Sequence, residues 1–140
     1  VVTEFEGTVK DYAGDGVLVL VGAPLPFEDH ARRAVALAES IVRRCQDGSQ
    51  PLNVGVGVAS GRVTVGVVGG AGRLEYAAVG SAVNLASRLC EEAAPGEVLV
   101  AGETVAAIDA TGSQLSLEPS TPRRLKGFAD EVATFALRPA

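Results

Sequence analysis

Two polar residues, Asn84 and Arg88, are four positions apart in the stretch Glu75 to Leu89, EYAAVGSAVNLASRL. The pattern predicts a short apolar strand, a Gly-Ser break and a helix from about residue 82, with Ser81 as the N-cap. On such a helix Asn84 and Arg88 lie on one face, one above the other. The opposite, apolar side is predicted to consist of Val83, Ala86, Leu89 and Cys90. An amide and a fixed cation directed at the same point suit a phosphoryl group that gains charge. The alternative is an amphipathic helix whose polar face is only solvated.

Asp15 is a candidate metal-binding carboxylate near the start of the chain, in Gly7 to Pro24, GTVKDYAGDGVLVLVGAP. Residues 8–12 and 17–21 predict two strands of a hairpin, with Asp15 in the glycine-flanked turn between them. A carboxylate at a hairpin tip can project towards a metal ion such as Mg²⁺. It can equally bond to its own backbone, as turn aspartates commonly do.

The rest of the sequence predicts the helices and strands that position these residues. An apolar face at helical spacing predicts a helix from Asp29 to about Cys45. Residues 52–60 and 63–68 predict a hairpin, followed by a GGAG loop. Strands are predicted near the end of the chain, the last of them over Val132 to Leu137. Hairpins interrupted by two long helices predict an α+β fold, with helices packed on one face of a largely antiparallel sheet. Its length, 140 residues, suits one domain over 1–140.

Several motifs together carry a family resemblance. The stretch EYAAVGSAVNLASRL resembles the signature of class III nucleotidyl cyclases, the adenylate and guanylate cyclases. The GD hairpin, PGEVLV at Pro95 to Val100 and LKG at Leu125 to Gly127 resemble further family motifs. They occur in family order and extend from Glu6 to about Leu137. The resemblance implies a ferredoxin-like nucleotide cyclase core, which is an α+β fold of the expected kind.

The resemblance also implies a reaction and its residues. In the family, the 3′-hydroxyl of a nucleoside triphosphate attacks its own α-phosphorus and pyrophosphate leaves. Arg88 would meet the charge on the α-phosphate, Asn84 would orient the ribose, and Lys126 would hold the β- or γ-phosphate. Asp15 would bind two divalent metal ions, Mg²⁺ or Mn²⁺, together with a second aspartate. The family's active sites are shared between two chains, so a homodimer is implied.

The chain begins after the position where the family has its first strand and the other metal-binding aspartate. Accordingly, the sequence is expected to be an N-terminally incomplete catalytic domain. On its own, this piece of 140 residues is expected to have little or no cyclase activity. An aspartate-bearing strand upstream of Val1 would support an enzyme, and its absence would support a binding domain.

Recognition of the base is where the sequence departs from the family. Adenine-selective members usually have a lysine four residues before the GD aspartate, where this chain has Asp11, and Lys10 is one position earlier. The partner position is Ala77, which offers no side-chain hydrogen bond. ATP is favoured over GTP only as the commoner bacterial substrate. The competing hypothesis is a catalytically inactive, cyclase-like domain that serves nucleotide binding or dimerisation.

Composition and charge bear on other partners and on the location of the protein. The net charge is −5 and no basic stripe is visible, which argues against nucleic acid as a partner. No apolar run reaches about 18 residues, so no membrane contact by this domain is expected. Cys45 and Cys90 have no metal-site spacing, and a reduced, cytoplasmic location is expected. A role in intracellular signal transduction would fit a cyclase, including one whose parent protein is membrane-anchored.

Overall fold

The computed structural model describes residues 8–11, 17–22, 29–48, 51–70, 73–110 and 117–137. Within these ranges the chain forms eight strands and three helices. In chain order they are β1 (Thr8–Asp11), β2 (Val17–Leu20), α1 (His30–Asp47), β3 (Val56–Val58), β4 (Thr64–Gly70), β5 (Arg73–Val79), α2 (Ser81–Glu92), β6 (Val98–Ala101), α3 (Gly102–Ala110), β7 (Glu118–Arg123) and β8 (Val132–Leu137).

The largest sheet of the described residues has four strands in the order β3-β6-β8-β7. Strand β3 runs parallel to β6, while β8 pairs antiparallel with both β6 and β7. Two antiparallel hairpins, β1–β2 and β4–β5, complete the strand pairing. The edge strand β7 carries Pro119 and Pro122, and proline is tolerated at an edge because no ladder donor is needed there. The predicted α+β class with a largely antiparallel sheet is confirmed.

Strand β6 determines where the helices pack. Its four residues, VLVA, are at most 1% exposed. Successive strand residues face opposite sides of a sheet. Val98 and Val100 therefore join one apolar cluster, and Leu99 and Ala101 join a second cluster. A strand that is apolar on both faces requires cover on both faces.

The helices supply that cover on opposite faces of the sheet. Helix α1 packs on the first face through four residues at helical spacing, Ala31, Val35, Ala38 and Val42. Helix α3 adds Ile108 to the same cluster. Helix α2 packs on the second face through Leu85 and Leu89. The expectation that helices share one face thus applies to α1 and α3, while α2 lies opposite because β6 is apolar on both sides.

Helix α2 approaches β3 closely at Gly57. A Cβ atom at this position would collide with the backbone oxygen of Ala86 and lie 2.5 Å from the backbone nitrogen of Cys90. Neither atom can move without shifting the helix. Glycine at position 57 is therefore what allows the helix that carries Asn84 and Arg88 to sit against the sheet.

Replacing Gly57 with alanine is expected to destabilise the fold by about 1–3 kcal/mol, the usual cost of overpacking. The matched control is Gly66→Ala in β4, where a Cβ would meet nothing within 4 Å. An exposed change of that kind is expected to stay within about 0.5 kcal/mol of the parent. Urea unfolding of the three proteins measures both effects. Equal midpoints for Gly57→Ala and Gly66→Ala would show that α2 does not rest on β3 as described.

The structure corrects one predicted hairpin. Residues 52–60 contribute only the short strand β3, which pairs with β6. Residues 63–68 lie mostly in β4, which pairs with β5 from Thr64↔Val79 to Gly70↔Arg73. Alternating valine and glycine fits either partner, because a period of two specifies a strand and not its neighbour. The first two glycines of the predicted GGAG loop, Gly69 and Gly70, belong to β4.

Two further sequence expectations concern the environment of the domain. No helix among the described residues has the length and apolar character needed to span a membrane. Neither Cys45 nor Cys90 takes part in a disulfide.

Candidate active site

The helix with the candidate catalytic pair begins one residue earlier than predicted, and its cap is one residue earlier too. Gly80 is the N-cap residue and Ser81 is the first residue of α2. The backbone oxygen of Gly80 accepts hydrogen bonds from the backbone nitrogens of Val83, at 3.1 Å, and Asn84, at 3.4 Å. A Cβ on Gly80 would lie 2.8 Å from the backbone oxygen of Arg62. Glycine occupies the cap because the chain passes close to Arg62, and Ser81 makes no side-chain cap.

Asn84 and Arg88 lie one turn apart on α2, away from the side that packs on the sheet. Asn84 is exposed, and the Arg88 side chain is 35% exposed. Leu85 and Leu89, the residues that follow each of them, are buried in the second apolar cluster. Because that contact fixes the rotation of the helix, the amide and the guanidinium are presented to solvent together. A phosphorylated ligand can reach both groups from the same side.

The apolar side of α2 differs in part from the prediction. Val83 and Leu89 are buried as predicted, and Ala86 is partly buried. Cys90, predicted to be on that side, is exposed, and its Sγ donates to the backbone oxygen of Gly55 at 3.5 Å. Leu85 takes the core position that the prediction missed. Its spacing of four from Leu89 is the signal that identifies it.

Lys126 is exposed in a tight turn from Leu125 to Phe128. The backbone nitrogen of Phe128 donates to the oxygen of Leu125 at 3.1 Å, and Gly127 has φ 90°. A positive φ at the third position is a feature of type II turns and favours glycine. Leu125 is 4% exposed and belongs to the same apolar cluster as Leu85 and Leu89. The turn that carries Lys126 is therefore anchored on the cluster that holds α2.

Among the described residues, two ion pairs involve the last turn of α2. Arg88 Nη1 lies 3.2 Å from Glu91 Oε2 and 3.3 Å from Oε1. Glu92 Oε2 lies 3.8 Å from Arg123 Nη1 at the end of β7. The first pair lies within one helix, and the second joins the helix to the sheet. Glu91 was not identified as a candidate from the sequence, although its spacing of three from Arg88 is typical of helical ion pairs.

The positions expected to read the base lie in the two hairpins. Lys10 pairs with Leu18, and Asp11 pairs with Val17 in an unbroken β1–β2 ladder. No bulge shifts Lys10 into the register position of Asp11. Ala77 pairs with Gly66 in β5. The role of these positions in base recognition stays a prediction.

The metal prediction concerns Asp15, which lies between β1 and β2, outside the described residues. Among the residues that the structure describes, no group of three or more His, Cys, Asp or Glu side chains could hold a metal ion. Mg²⁺ commonly binds through one or two carboxylates together with the substrate's phosphates. One aspartate in the hairpin turn fits that type of site only when a phosphorylated ligand supplies further oxygens.

Sequence comparison finds relatives over nearly the whole chain. The sequence model of the family described as adenylate and guanylate cyclase catalytic domain matches residues 8–139. An uncharacterized protein of Mycobacterium tuberculosis is 36% identical over 112 residues, which cover 79% of this chain and 21% of that protein. A second uncharacterized protein of the same organism is 34% identical over 127 residues, covering 89% and 23%. The chain thus spans about a fifth of the length of these relatives.

Solved structures show the same fold. The guanylyl cyclase Cya2 superposes with a TM-score of 0.80 at 32% identity, covering 96% of this chain and 71% of that one. The adenylyl cyclase CyaB from P. aeruginosa gives 0.78 at 27% identity, with 96% and 73% covered. The guanylate cyclase domain of RhGC from Catenaria anguillulae, solved with GTP, gives 0.82 at 26% identity, with 96% and 74% covered. These neighbours confirm the ferredoxin-like cyclase core, and the chain belongs to the adenylate and guanylate cyclase catalytic domain family.

Proposed function

We propose that this domain is a nucleotide cyclase, which converts a nucleoside triphosphate to the 3′,5′-cyclic nucleotide and pyrophosphate. The observation that carries the proposal is the presentation of Asn84 and Arg88 to solvent on one helix whose other side is fixed to the sheet. The family membership supplies the reaction class. The cyclic product would act in intracellular signal transduction.

The proposed roles follow from the chemistry of each group. Attack of the 3′-hydroxyl on the α-phosphorus is intramolecular, so the domain has to position the nucleotide and stabilise charge. The Arg88 guanidinium would bind the α-phosphate oxygens as negative charge grows on them. The Asn84 amide would hold the ribose in the orientation for attack. Lys126, a cation on a fixed turn, would bind the β- or γ-phosphate that leaves.

The proposed metal ligand is Asp15. Its carboxylate, with the oxygens of the bound triphosphate, would hold a divalent ion such as Mg²⁺ or Mn²⁺. A bound ion of this kind supplies neutralisation of phosphate charge. A second ion requires at least one more carboxylate, and the resemblance expects that residue upstream of Val1. The contributions of Asn84, Arg88 and Lys126 to substrate binding do not depend on that residue.

The proposed assembly is a homodimer in which each active site takes Asp15 from one chain and Asn84, Arg88 and Lys126 from the other. A symmetric dimer presents the same surface twice and so forms two equivalent sites. Two-stranded hairpins are marginal on their own. The β1–β2 and β4–β5 hairpins therefore suit contact with a further element, such as a second chain.

ATP is the favoured substrate over GTP, although the base-reading positions give it little support. Asp11 and Ala77 stand where the family places a lysine and a polar partner. The structural neighbours include both an adenylyl and a guanylyl cyclase. Selectivity is therefore expected to be weak, because a site without a specific hydrogen bond cannot reject the wrong base strongly.

The ratio of kcat/KM between ATP and GTP is expected to stay below about 10³ in the natural protein at full length. Cyclic AMP and cyclic GMP formation measured in parallel, with either Mg²⁺ or Mn²⁺, gives the ratio. Introducing a lysine by Asp11→Lys should shift the ratio towards ATP. A larger ratio in the unmodified protein would mean that residues other than positions 11 and 77 read the base.

The proposal as a whole is tested by incubating the full-length protein with ATP or GTP and a divalent metal. The expected result is equimolar cyclic nucleotide and pyrophosphate. The competing function, a cyclase-like domain that only binds nucleotide or dimerises, is favoured by the unusual residues at positions 11 and 77. Saturable nucleotide binding without any cyclic product would support that function and reject catalysis.

A further inference from the structure

The guanidinium of Arg88 is engaged by a carboxylate on its own helix. Its Nη1 atom lies almost equally far from both oxygens of Glu91, at 3.2 and 3.3 Å. The pair is open to solvent, since the Arg88 side chain is 35% exposed and that of Glu91 is 63% exposed. A phosphate that approaches Arg88 therefore meets a cation already paired with a negative group.

Asn84 and Glu91 lie on opposite sides of Arg88 along the helix. Helical side chains lean towards the N-terminus of their helix, so Arg88 would naturally extend over the turn that contains Asn84. Glu91 lies in the opposite direction, three residues towards the C-terminus. When Arg88 is paired with Glu91, its guanidinium is held by a carboxylate on the C-terminal side, so a phosphate that also contacts Asn84 has to compete with that carboxylate for it.

Helix stability does not account for a glutamate at this position. Glu91 lies in the last turn of α2, where the helix dipole presents its negative end and disfavours carboxylates. That turn contains no basic residue. An exposed ion pair between residues three positions apart contributes little to the free energy of folding. Removing the charge of Glu91 is therefore expected to leave the melting temperature unchanged or slightly raised.

We propose that Glu91 is a positioning residue that holds Arg88 in a resting orientation and competes with the substrate's phosphate for its guanidinium. The proposal rests on the proposed function of Arg88 as a phosphate ligand. An exposed pair of this kind shifts an equilibrium by at most about five-fold. Glu91 would thus set the affinity of the site for a triphosphate, and the effect would depend on ionic strength.

The test uses the full-length protein and inorganic pyrophosphate as the probe, because binding can then be measured without turnover. By isothermal titration, Glu91→Gln is expected to tighten pyrophosphate binding by about two- to five-fold at an ionic strength of about 0.01 M. The gain should shrink at about 0.15 M, where charges are screened over a shorter distance. The melting temperature of each variant shows that the helix is intact.

Two controls separate competition for Arg88 from a general loss of negative charge. Glu92→Gln removes the same charge one residue away, and its carboxylate faces Arg123 instead. It is expected to give a clearly smaller gain. In an Arg88→Ala background, Glu91→Gln is expected to give no gain, because no cation remains to be released. An equal gain in either control, weaker binding in Glu91→Gln, or no pyrophosphate binding by any variant would overturn the proposal.

The outcomes also distinguish this proposal from the proposed function. If Glu91→Gln tightens pyrophosphate binding only when Arg88 is present, but no cyclic nucleotide forms, then catalysis is rejected and the competition stands. If cyclic nucleotide forms and Glu91→Gln changes neither pyrophosphate affinity nor the KM for ATP, then the cyclase proposal stands and the role of Glu91 is rejected.

Discussion

Arg88→Ala is expected to lower the kcat of cyclisation by about 10²–10³-fold, the usual loss when one preorganised charge donor is removed. The guanidinium lies on a helix whose rotation is fixed by Leu85 and Leu89, so the helix itself needs no rearrangement to present it to the α-phosphate. An interaction that strengthens in the transition state affects kcat more than KM. The measurement is initial-rate formation of cyclic nucleotide over a range of ATP concentrations.

A matched control for this prediction exists on another helix. Arg43 of α1 forms a comparable surface ion pair, with its Nη2 atom 2.7 Å from Glu39 Oε1. Arg43→Ala removes the same charge and a similar contact, and is expected to leave kcat within about two-fold, since exposed pairs of this type contribute little. A large loss of rate in both variants, or in neither, would mean that Arg88 has no special part in the chemistry.

The elements that carry the site could be predicted from the sequence because their signals are local. The Gly-Ser break followed by VNLASRL places α2 within one residue of its observed start. The last strand, Val132–Leu137, is as predicted, and so is the β1–β2 hairpin. In each case a turn residue and a hydrophobic period of two or 3.6 lie next to each other in the chain. Such patterns determine local conformation without help from distant residues.

Other features depended on contacts that a local pattern does not contain. Strand β3 pairs with β6, about 40 residues away, and nothing within VGV distinguishes that partner from β4. Gly80 replaces Ser81 as the cap because of a close approach to Arg62 in another part of the fold. The division of helices between two faces follows from burial of β6 on both sides. Each of these is decided by tertiary packing.

In the candidate site too, local sequence identified the residues, while their contacts depended on tertiary packing. The sequence identified Asn84, Arg88 and Lys126, but it did not show that Leu125 fixes the Lys126 turn to the cluster under α2. Nor did it show that Arg88 is paired with Glu91, since both Glu91 and Glu92 follow it at helical spacing. Spacing alone shows which residues can meet, and only the rotamer shows which of them do.

Complementation between two inactive variants would show that the active site is shared. Asp15 comes from the β1–β2 connection, whereas Asn84 and Arg88 come from α2. If each site takes Asp15 from one chain and Arg88 from the other, then Asp15→Ala and Arg88→Ala each abolish both sites of a homodimer. A mixed dimer of the two variants has one site with both residues intact and one site with both residues lost.

Mixing equal amounts of the two full-length variants is therefore expected to restore about a quarter of wild-type activity. With random exchange about half of the dimers are mixed, and each has one working site out of two, by simple statistics for a two-fold dimer.

The double variant Asp15→Ala with Arg88→Ala, mixed with wild type, is the matched control. Its mixed dimers have two sites that each lack one residue, so activity should fall below that of wild type mixed with buffer. Native mass spectrometry verifies exchange. Mixed single-variant dimers that form and stay inactive would place Asp15 and Arg88 of one site on the same chain and reject the shared-site mechanism.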